Sequence, residues 1–210
     1  MANLPIAVLI SGGGTTLRNL IRLAHCGNLP VEFRLLISSR SSAAGLDYAR
    51  AAHIENHVIS RRLSPSPEAH SESIFGLFRN HGVELVVMGG YLEHLLIPAD
   101  FRNRVINIHP SLIPAFCGQG FYGLRVHQAV IDYGAKLSGC TVHYVDNQFD
   151  HGPIIAQRAC DVLPDDTAET LQARVFKLEC QLYPETISAI ASGRVTVVDR
   201  QVIVKSAADL

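Results

Sequence analysis

The stretch VINIHPSLIP, residues 105–114, combines an apolar strand pattern with two polar side chains, Asn107 and His109. Side chains alternate between the faces of a strand, so Asn107 and His109 share one face. Pro110 favours an extended conformation for His109, which places it at the carboxyl end of a strand, where open α/β sheets bind ligands. An amide and an imidazole there can stabilise an oxyanion and transfer a proton. The alternative is a histidine hydrogen-bonded to backbone near a turn.

A carboxylate follows in TVHYVDNQFDHGPII, residues 141–155. Asp150 lies on a loop just before Gly152-Pro153, and an acid close to His109 would tune that histidine. Taken alone, an aspartate in such a loop is typical of an Asx turn. His143, on the preceding strand, is typical of a structural histidine whose ring nitrogens are satisfied by hydrogen bonds.

The stretch LISGGGTTL, residues 9–17, follows a strand and opens a helix. Free backbone N–H groups and the helix dipole favour an anion at that point, and phosphate is the natural ligand. Gly12 and Gly14 match the start of G-x-G-x-x-G, but Leu17 stands at the third glycine. The alternative is a turn that needs glycine only for its backbone angles.

The elements that position these residues alternate between strand and helix through the first half of the chain. Helices are predicted from Thr15 to about Gly27, over residues 43–52, and from Ser66-Pro67 to His81-Gly82. The strands are predicted at IAVLIS, VEFRLLIS, NHVIS, ELVVMGG and RVINIHP. This alternation indicates about five parallel strands in an α/β fold.

The second half of the chain changes pattern. GCTVHYVD and PIIAQRACDVL predict an antiparallel extension of the sheet, and VTVVDRQVIV predicts a C-terminal hairpin around Asp199-Arg200. A long helix is predicted after a capping-box variant formed by Asp166 and Glu169, and Pro184 is expected to kink or break it. We predict one domain over residues 1–210.

The composition is that of an ordinary globular protein, with 48% hydrophobic and 18% charged residues and a formal charge of −1. The arginines are scattered, which argues against nucleic acid as a partner. No segment suits a signal peptide or a membrane span. Five cysteines without C-x-x-C spacing predict neither a disulfide framework nor a metal site, and indicate the reducing cytoplasm.

Together, LISGGGTTL, NIHPSLIP and TVHYVDNQFDHGPII resemble the motifs of the folate-dependent formyltransferases, in particular those acting on phosphoribosylglycinamide. The resemblance spans nearly the whole chain and implies a Rossmann-like formyltransferase fold with a mostly parallel twisted sheet. Residues 1–100 would form the phosphate- and nucleotide-binding half, and residues 101–210 the catalytic and folate-binding half. The implied reaction moves a formyl group from 10-formyltetrahydrofolate, as co-substrate, to the amine of 5-phosphoribosylglycinamide in de novo purine biosynthesis. The enzyme would be a monomer or homodimer that needs no metal.

The resemblance also implies roles for individual residues. The family's catalytic trio corresponds to Asn107, His109 and Asp150. The residues that would bind the acceptor's phosphate and ribose are Gly14, Thr15, Thr16, Leu17 and Glu179. The residues that would bind the folate are Leu92, Leu95, Asn107 and Asp150.

Three departures from the family pattern affect the folate and ribose contacts. Pro67 falls near the usual folate-site arginine, Phe176 replaces a glutamine one turn before Glu179, and YLEHLL carries Glu93 and His94 where an arginine is more usual. The insertion CGQGFYG, residues 117–123, resembles formyltetrahydrofolate hydrolases. Those hydrolases usually carry an extra N-terminal domain, whereas the first strand here begins near residue 1, so transfer is the preferred interpretation.

Other functions remain as alternatives. They are hydrolysis of formyltetrahydrofolate, another folate-dependent formyl transfer, and an NADP-binding oxidoreductase that would use the glycine loop and Arg40. A noncatalytic phosphate-binding module would leave Asn107, His109 and Asp150 without a task.

Overall fold

The computed structural model describes residues 3–206. The strands are β1 (Leu4–Ile10), β2 (Val31–Ser38), β3 (Asn56–Val58), β4 (Leu85–Met88), β5 (Val105–His109), β6 (Leu137–Tyr144), β7 (Ile154–Asp161), β8 (Val195–Val198) and β9 (Gln201–Val204). The helices are α1 (Thr15–His25), α2 (Gly45–Ala51), α3 (Pro67–Asn80), α4 (Leu124–Tyr133) and α5 (Ala168–Ala191). The first seven strands form one sheet in the order β3-β2-β1-β4-β5-β6-β7, and β8 and β9 form a second sheet. The chain divides between Asn107 and Ile108 into two compact units.

The first unit is built on parallel strands. β1 pairs in parallel with β2 and β4, β2 pairs with β3, and β4 pairs with the start of β5, which confirms the predicted parallel core. The side chains of β1 from Ile6 onward and all those of β4 are buried, as expected for strands covered on both faces. The register places Asn107 of β5 opposite Met88 of β4.

Helix α3 begins as its sequence predicts. Ser66 has an extended conformation and its hydroxyl accepts a hydrogen bond from the Ala69 N–H at 3.1 Å. Pro67 occupies the first helical position, where a missing N–H costs nothing. The helix buries Phe75 and Phe78, which pack edge to face with ring centroids 5.5 Å apart.

The second unit contains an antiparallel pair. β6 pairs antiparallel with β7, and the predicted C-terminal hairpin is present as β8 and β9. Helix α5 packs against both β6 and β7, and it buries Val175, Tyr183 and Ile187. Among the described residues, no helix is long and apolar enough to cross a membrane.

The predicted cap of α5 was wrong, the helix runs through Pro184 without a break, and one helix was not predicted. The cap is Thr167, which exchanges hydrogen bonds with Thr170, while Asp166 pairs with Arg174. The helix does not break at Pro184, because the ring is buried in the packed helix face and tertiary contacts outweigh the lost hydrogen bond. Helix α4 was missed because its N-cap, Gly123, offers no capping side chain.

Candidate active site

In the first unit, the glycine loop leads into α1, whose N-cap is Gly14. Gly14 adopts φ 68°, and a Cβ there would lie 2.4 Å from the Gly45 Cα, so this position requires glycine. Within residues 3–206 no side chain caps the helix, and its first turn holds no acidic residue. The N–H groups of Thr15, Thr16 and Leu17 have no acceptor within the helix. Because Leu17 is fully buried, it can offer an anion only its backbone.

The segment after β4 contains the two leucines predicted to contact folate. Leu92 is 44% exposed, whereas Leu95 is buried in the core, so only Leu92 presents its side chain. The Leu92 N–H donates to the Ser11 hydroxyl at 2.9 Å, and that hydroxyl also bonds to Ser39 Oγ at 2.7 Å. The segment after β4 is thereby tied to the end of β1.

A buried polar pair lies close to Glu93. His70 Nε2 and the Tyr91 hydroxyl are 3.2 Å apart, and Ser64 Oγ lies 3.3 Å from His70 Nδ1. Burial lowers the pKa of His70, although the Glu93 carboxylate opposes that shift. Burial and Glu93 both raise the pKa of Tyr91. At Pro67, which is exposed at the start of α3, the chain has no guanidinium to offer a folate carboxylate.

In the second unit, the structure brings His109 and Asp150 together although they are 41 residues apart in sequence (150 − 109). His109 ends β5 and is 4% exposed. Its Nδ1 lies 3.4 Å from Asp150 Oδ2, and its Nε2 lies 2.9 Å from the Phe116 carbonyl oxygen. Since a carbonyl only accepts, Nε2 carries a proton, and both ring nitrogens are engaged within this unit.

The Asp150 carboxylate has two further partners. The Gly118 N–H donates to Oδ2 at 2.8 Å, and His143 Nε2 lies 3.6 Å from Oδ1. Asp150 has φ 50°, a conformation that costs energy in a residue with a Cβ. The Asx turn of this loop is made instead by Asp146, which accepts from the Gln148 N–H at 2.9 Å.

The charges of these groups are coupled. Burial lowers the pKa of His109, and Asp150 and the Phe116 carbonyl oppose that shift. For Asp150, burial favours the neutral acid, but the His143 hydrogen bond, the His109 charge and the Gly118 N–H together bring its pKa below the usual range. The unit therefore holds a carboxylate beside an imidazole whose proton is made labile by burial.

Sequence reasoning missed His143 and Gly118 as partners of Asp150. His143 Nδ1 bonds to the Tyr144 carbonyl at 2.8 Å, which fits a structural histidine, yet Nε2 faces the carboxylate. A signal was present, since His143 and Asp150 lie in the same motif. Gly118 gave no signal, because its contribution is a backbone N–H in a loop.

Two more residues adjoin this site. His127 of α4 is buried, and among the described residues its Nδ1 has no hydrogen-bond partner. Burial, with a smaller contribution from His109, lowers the pKa of His127 to about 4, so it is neutral at pH 7. Cys117 is half-buried, and burial together with Asp150 raises the pKa of its thiol.

Glu179 lies in the middle of α5 and is partly exposed. Desolvation by the surrounding protein raises its pKa to about 7. The nearby Cys140 of β6 has its pKa raised to about 12 by burial first and by Glu179 second. Phe176, one turn earlier, is half-buried and provides no hydrogen bond in place of the family's glutamine.

The sequence profile of the formyl transferase family matches residues 4–187. The chain belongs to this family. It is 40% identical over 195 residues to phosphoribosylglycinamide formyltransferase, chloroplastic, of Vigna unguiculata, a match covering 90% of this chain and 62% of that protein. It is 34% identical over 197 residues to phosphoribosylglycinamide formyltransferase of Haemophilus influenzae, covering 92% of this chain and 90% of that one.

A solved structure supports the same relationship. The chain also resembles glycinamide ribonucleotide transformylase 1 from Symbiobacterium toebii, with 36% identity and a TM-score of 0.89. That match covers 97% of this chain and 95% of the other. The α/β formyltransferase fold expected from the motifs is thus confirmed. The chain spans less than two thirds of the length of the Vigna unguiculata protein.

Proposed function

We propose that this formyl transferase moves the formyl group of 10-formyltetrahydrofolate to the amine of 5-phosphoribosylglycinamide, a step of de novo purine biosynthesis. The observation that carries the proposal is the buried pair of His109 and Asp150, 3.4 Å apart, with Asp150 also bound to the Gly118 N–H. Such a pair supplies the proton transfers that formyl transfer requires.

The reaction begins when the acceptor amine attacks the formyl carbon and forms a tetrahedral intermediate. The new C–N bond leaves a proton on the attacking nitrogen and negative charge on the formyl oxygen. Asn107 donates a hydrogen bond to that oxygen, and removal of one such donor typically costs on the order of 10²–10³ in rate. The intermediate collapses when the bond between the formyl carbon and N10 breaks.

The departing N10 needs one proton and the acceptor amine must lose one. His109 delivers the first, and the Asp150 carboxylate takes up the second through water. Transfer of that proton from Asp150 to His109, 3.4 Å away, then restores both groups. In this conformation His109 Nε2 donates to the Phe116 carbonyl. Delivery from Nε2 therefore requires that the bond to Phe116 be exchanged for one to the substrate.

The acceptor is bound through its phosphate and through its ribose. The N–H groups of Thr15, Thr16 and Leu17, next to Gly14, bind the 5′-phosphate at the α1 terminus, and Glu179 accepts hydrogen bonds from the ribose hydroxyls. The folate binds against Leu92 and the backbone at Leu95. These roles need no metal ion. The five cysteines are all free in the described chain, which supports a reducing compartment, and we propose the cytoplasm.

The decisive experiment measures release of tetrahydrofolate from 10-formyltetrahydrofolate with and without 5-phosphoribosylglycinamide. We expect turnover only when the acceptor is present. Turnover at the same rate without the acceptor would indicate hydrolysis, and turnover only with a different amine would indicate another formyl transfer. Binding of NADPH in place of a folate analogue would favour the oxidoreductase.

A further inference from the structure

The loop between β6 and β7, residues 145–153, carries Asp150 and is closed at its base. The Tyr144 N–H donates to the Pro153 carbonyl at 2.9 Å. A Cβ on Gly152 would lie 1.9 Å from the Tyr144 carbonyl oxygen, so the two backbones approach as closely as only glycine allows. The ends of the loop are therefore fixed.

Inside the loop, Asp146 organises the backbone on either side. One carboxylate oxygen accepts from the Gln148 N–H at 2.9 Å, and the other lies 2.7 Å from His151 Nδ1. His151 directly follows Asp150 in the chain. Its ring is thus tied to the beginning of the loop.

An arginine from outside the loop holds the same residue. Arg200, in the turn of the hairpin formed by β8 and β9, donates through Nη2 to the carbonyl of His151. Its Nη1 lies 3.4 Å from His151 Nε2. Nδ1 faces the Asp146 carboxylate, which only accepts, and in the tautomer with the proton on Nδ1 the Nε2 atom accepts from the guanidinium. The hairpin also contacts β7 through β9, so its position is set by the sheet.

We propose that Arg200 is a positioning residue for Asp150, an inference that rests on the proposed function. Asp150 has φ 50°, and a residue with a Cβ stays in that conformation only when its surroundings over-determine it. Gly118, His109 and His143 bind the carboxylate from one side. Arg200 holds the ring and the carbonyl of the next residue, His151, and the two sets of contacts together define where the carboxylate points.

The test compares three variants. Arg200→Ala removes both bonds to His151, whereas Arg200→Lys keeps a donor for the carbonyl. Arg194→Ala is the matched control, because Arg194 lies beside the same hairpin and its side chain bonds, within the described part of the chain, to Ser192 and Lys205 rather than to His151. Arg200 is exposed, so its replacement leaves the core intact, and thermal melting checks this for each variant.

Two measurements are made on each variant. Steady-state kinetics gives the kcat and KM of formyl transfer. NMR gives the amide proton shift of Gly118, which reports its hydrogen bond to the Asp150 carboxylate and does not depend on activity. We expect Arg200→Ala to lower kcat roughly tenfold, well within the loss that a small misplacement causes, with KM for the ribonucleotide unchanged and the Gly118 amide shifted upfield.

The outcomes separate the hypotheses. Arg200→Lys should recover most of kcat and the Gly118 shift, and Arg194→Ala should leave both at wild-type values. An unchanged Gly118 shift in Arg200→Ala overturns the proposal whatever happens to kcat, and so does an equal loss in Arg194→Ala, which would reveal a general effect of the hairpin. If the wild-type protein transfers no formyl group, the proposed function fails, while the Gly118 shift still tests the positioning.

Discussion

The protonation of His109 is set by opposing influences in its surroundings. Burial lowers its pKa, whereas the Asp150 carboxylate 3.4 Å away favours the imidazolium. A histidine acting as a general acid needs both, because burial makes the proton easy to release and the carboxylate keeps it available. The balance makes Asp150 the side chain whose charge matters most.

Replacement of Asp150 by Asn removes that charge and keeps the shape. We expect kcat to fall by roughly 10²–10⁴, the scale of a general acid–base contribution, with the KM for the ribonucleotide little changed. Loss of the carboxylate lowers the pKa of His109 further, so the limb of the pH–rate profile on which His109 loses its proton should move to lower pH. Near-normal kcat in Asp150→Asn, alongside an inactive His109→Ala, would show that Asp150 is only a turn residue.

Glu179 titrates close to neutrality, since desolvation raises its pKa to about 7. In the proposed site its carboxylate accepts more strongly from the ribose hydroxyls than the neutral acid does, so the KM for the ribonucleotide should fall as pH rises from 6 to 8. Glu179→Gln should raise this KM more than it lowers kcat and remove the pH dependence of KM.

The melting temperature at pH 8 distinguishes lost binding from unfolding in Glu179→Gln. A carboxyl whose pKa is raised by folding destabilises the folded protein once the pH exceeds the unfolded value. The neutral amide avoids that cost, so at pH 8 the variant should melt at a higher temperature than the wild type. A lower melting temperature together with a lower kcat would remove Glu179 from the binding site.

At the scale of elements, the loop between β5 and α4 contributes backbone rather than side chains. Gly118 and Gly120 have φ 94° and 91°, and neither Cβ position meets an atom within 4 Å. Alanine should therefore strain both backbones alike. Only the Gly118 N–H binds Asp150, so Gly118→Ala should lower kcat about tenfold more than Gly120→Ala, the loss expected from one charge-assisted hydrogen bond. Steady-state kinetics of the two variants measures this difference. Equal losses of kcat in Gly118→Ala and Gly120→Ala would contradict the prediction.

The N-terminus of α1 should bind a free anion. Its leading N–H groups have no helical acceptor, and no side chain of the described residues caps them. Titration with inorganic phosphate should shift the amide resonances of Thr15, Thr16 and Leu17, and Gly14→Ala should weaken this binding by displacing the turn. Perturbation by an adenine dinucleotide but not by phosphate would contradict the assignment.

The sequence pattern was sufficient to predict the elements that are defined by local apolar periodicity or by a local capping residue. The buried runs of β1, β2, β4 and β5 and the Ser66-Pro67 start of α3 could be predicted because apolar period and capping are local properties. Helix α4 lacked a capping side chain, and the true cap of α5 lies at Thr167 because Asp166 is taken by Arg174. The sequence pattern does not show that Arg174 binds the Asp166 carboxylate, so it could not exclude Asp166 as the cap.

At the scale of the whole molecule, the sequence located the polar strand end but not its surroundings. Alternation along β5 placed Asn107 and His109 on one face, whereas the pairing of His109 with Asp150 followed from the family resemblance. The contacts of Gly118 and Arg200 depend on loop and turn backbones that only the folded chain defines. Distant residues meet because the sheet brings their elements together, and spacing alone does not encode that.

The bond from His109 Nε2 to the Phe116 carbonyl affects how readily the formyl group would be lost to water in the proposed reaction. In the proposed mechanism, the Nε2 proton is directed at the Phe116 carbonyl and not at N10 while that bond is intact, so a bound formylated folate would keep its formyl group. Exchange of that bond for one to the substrate, which the proposed mechanism requires, would free the proton for N10. We therefore expect little transfer of the formyl group to water. The ratio of the turnover rate without acceptor to the turnover rate with acceptor measures this loss.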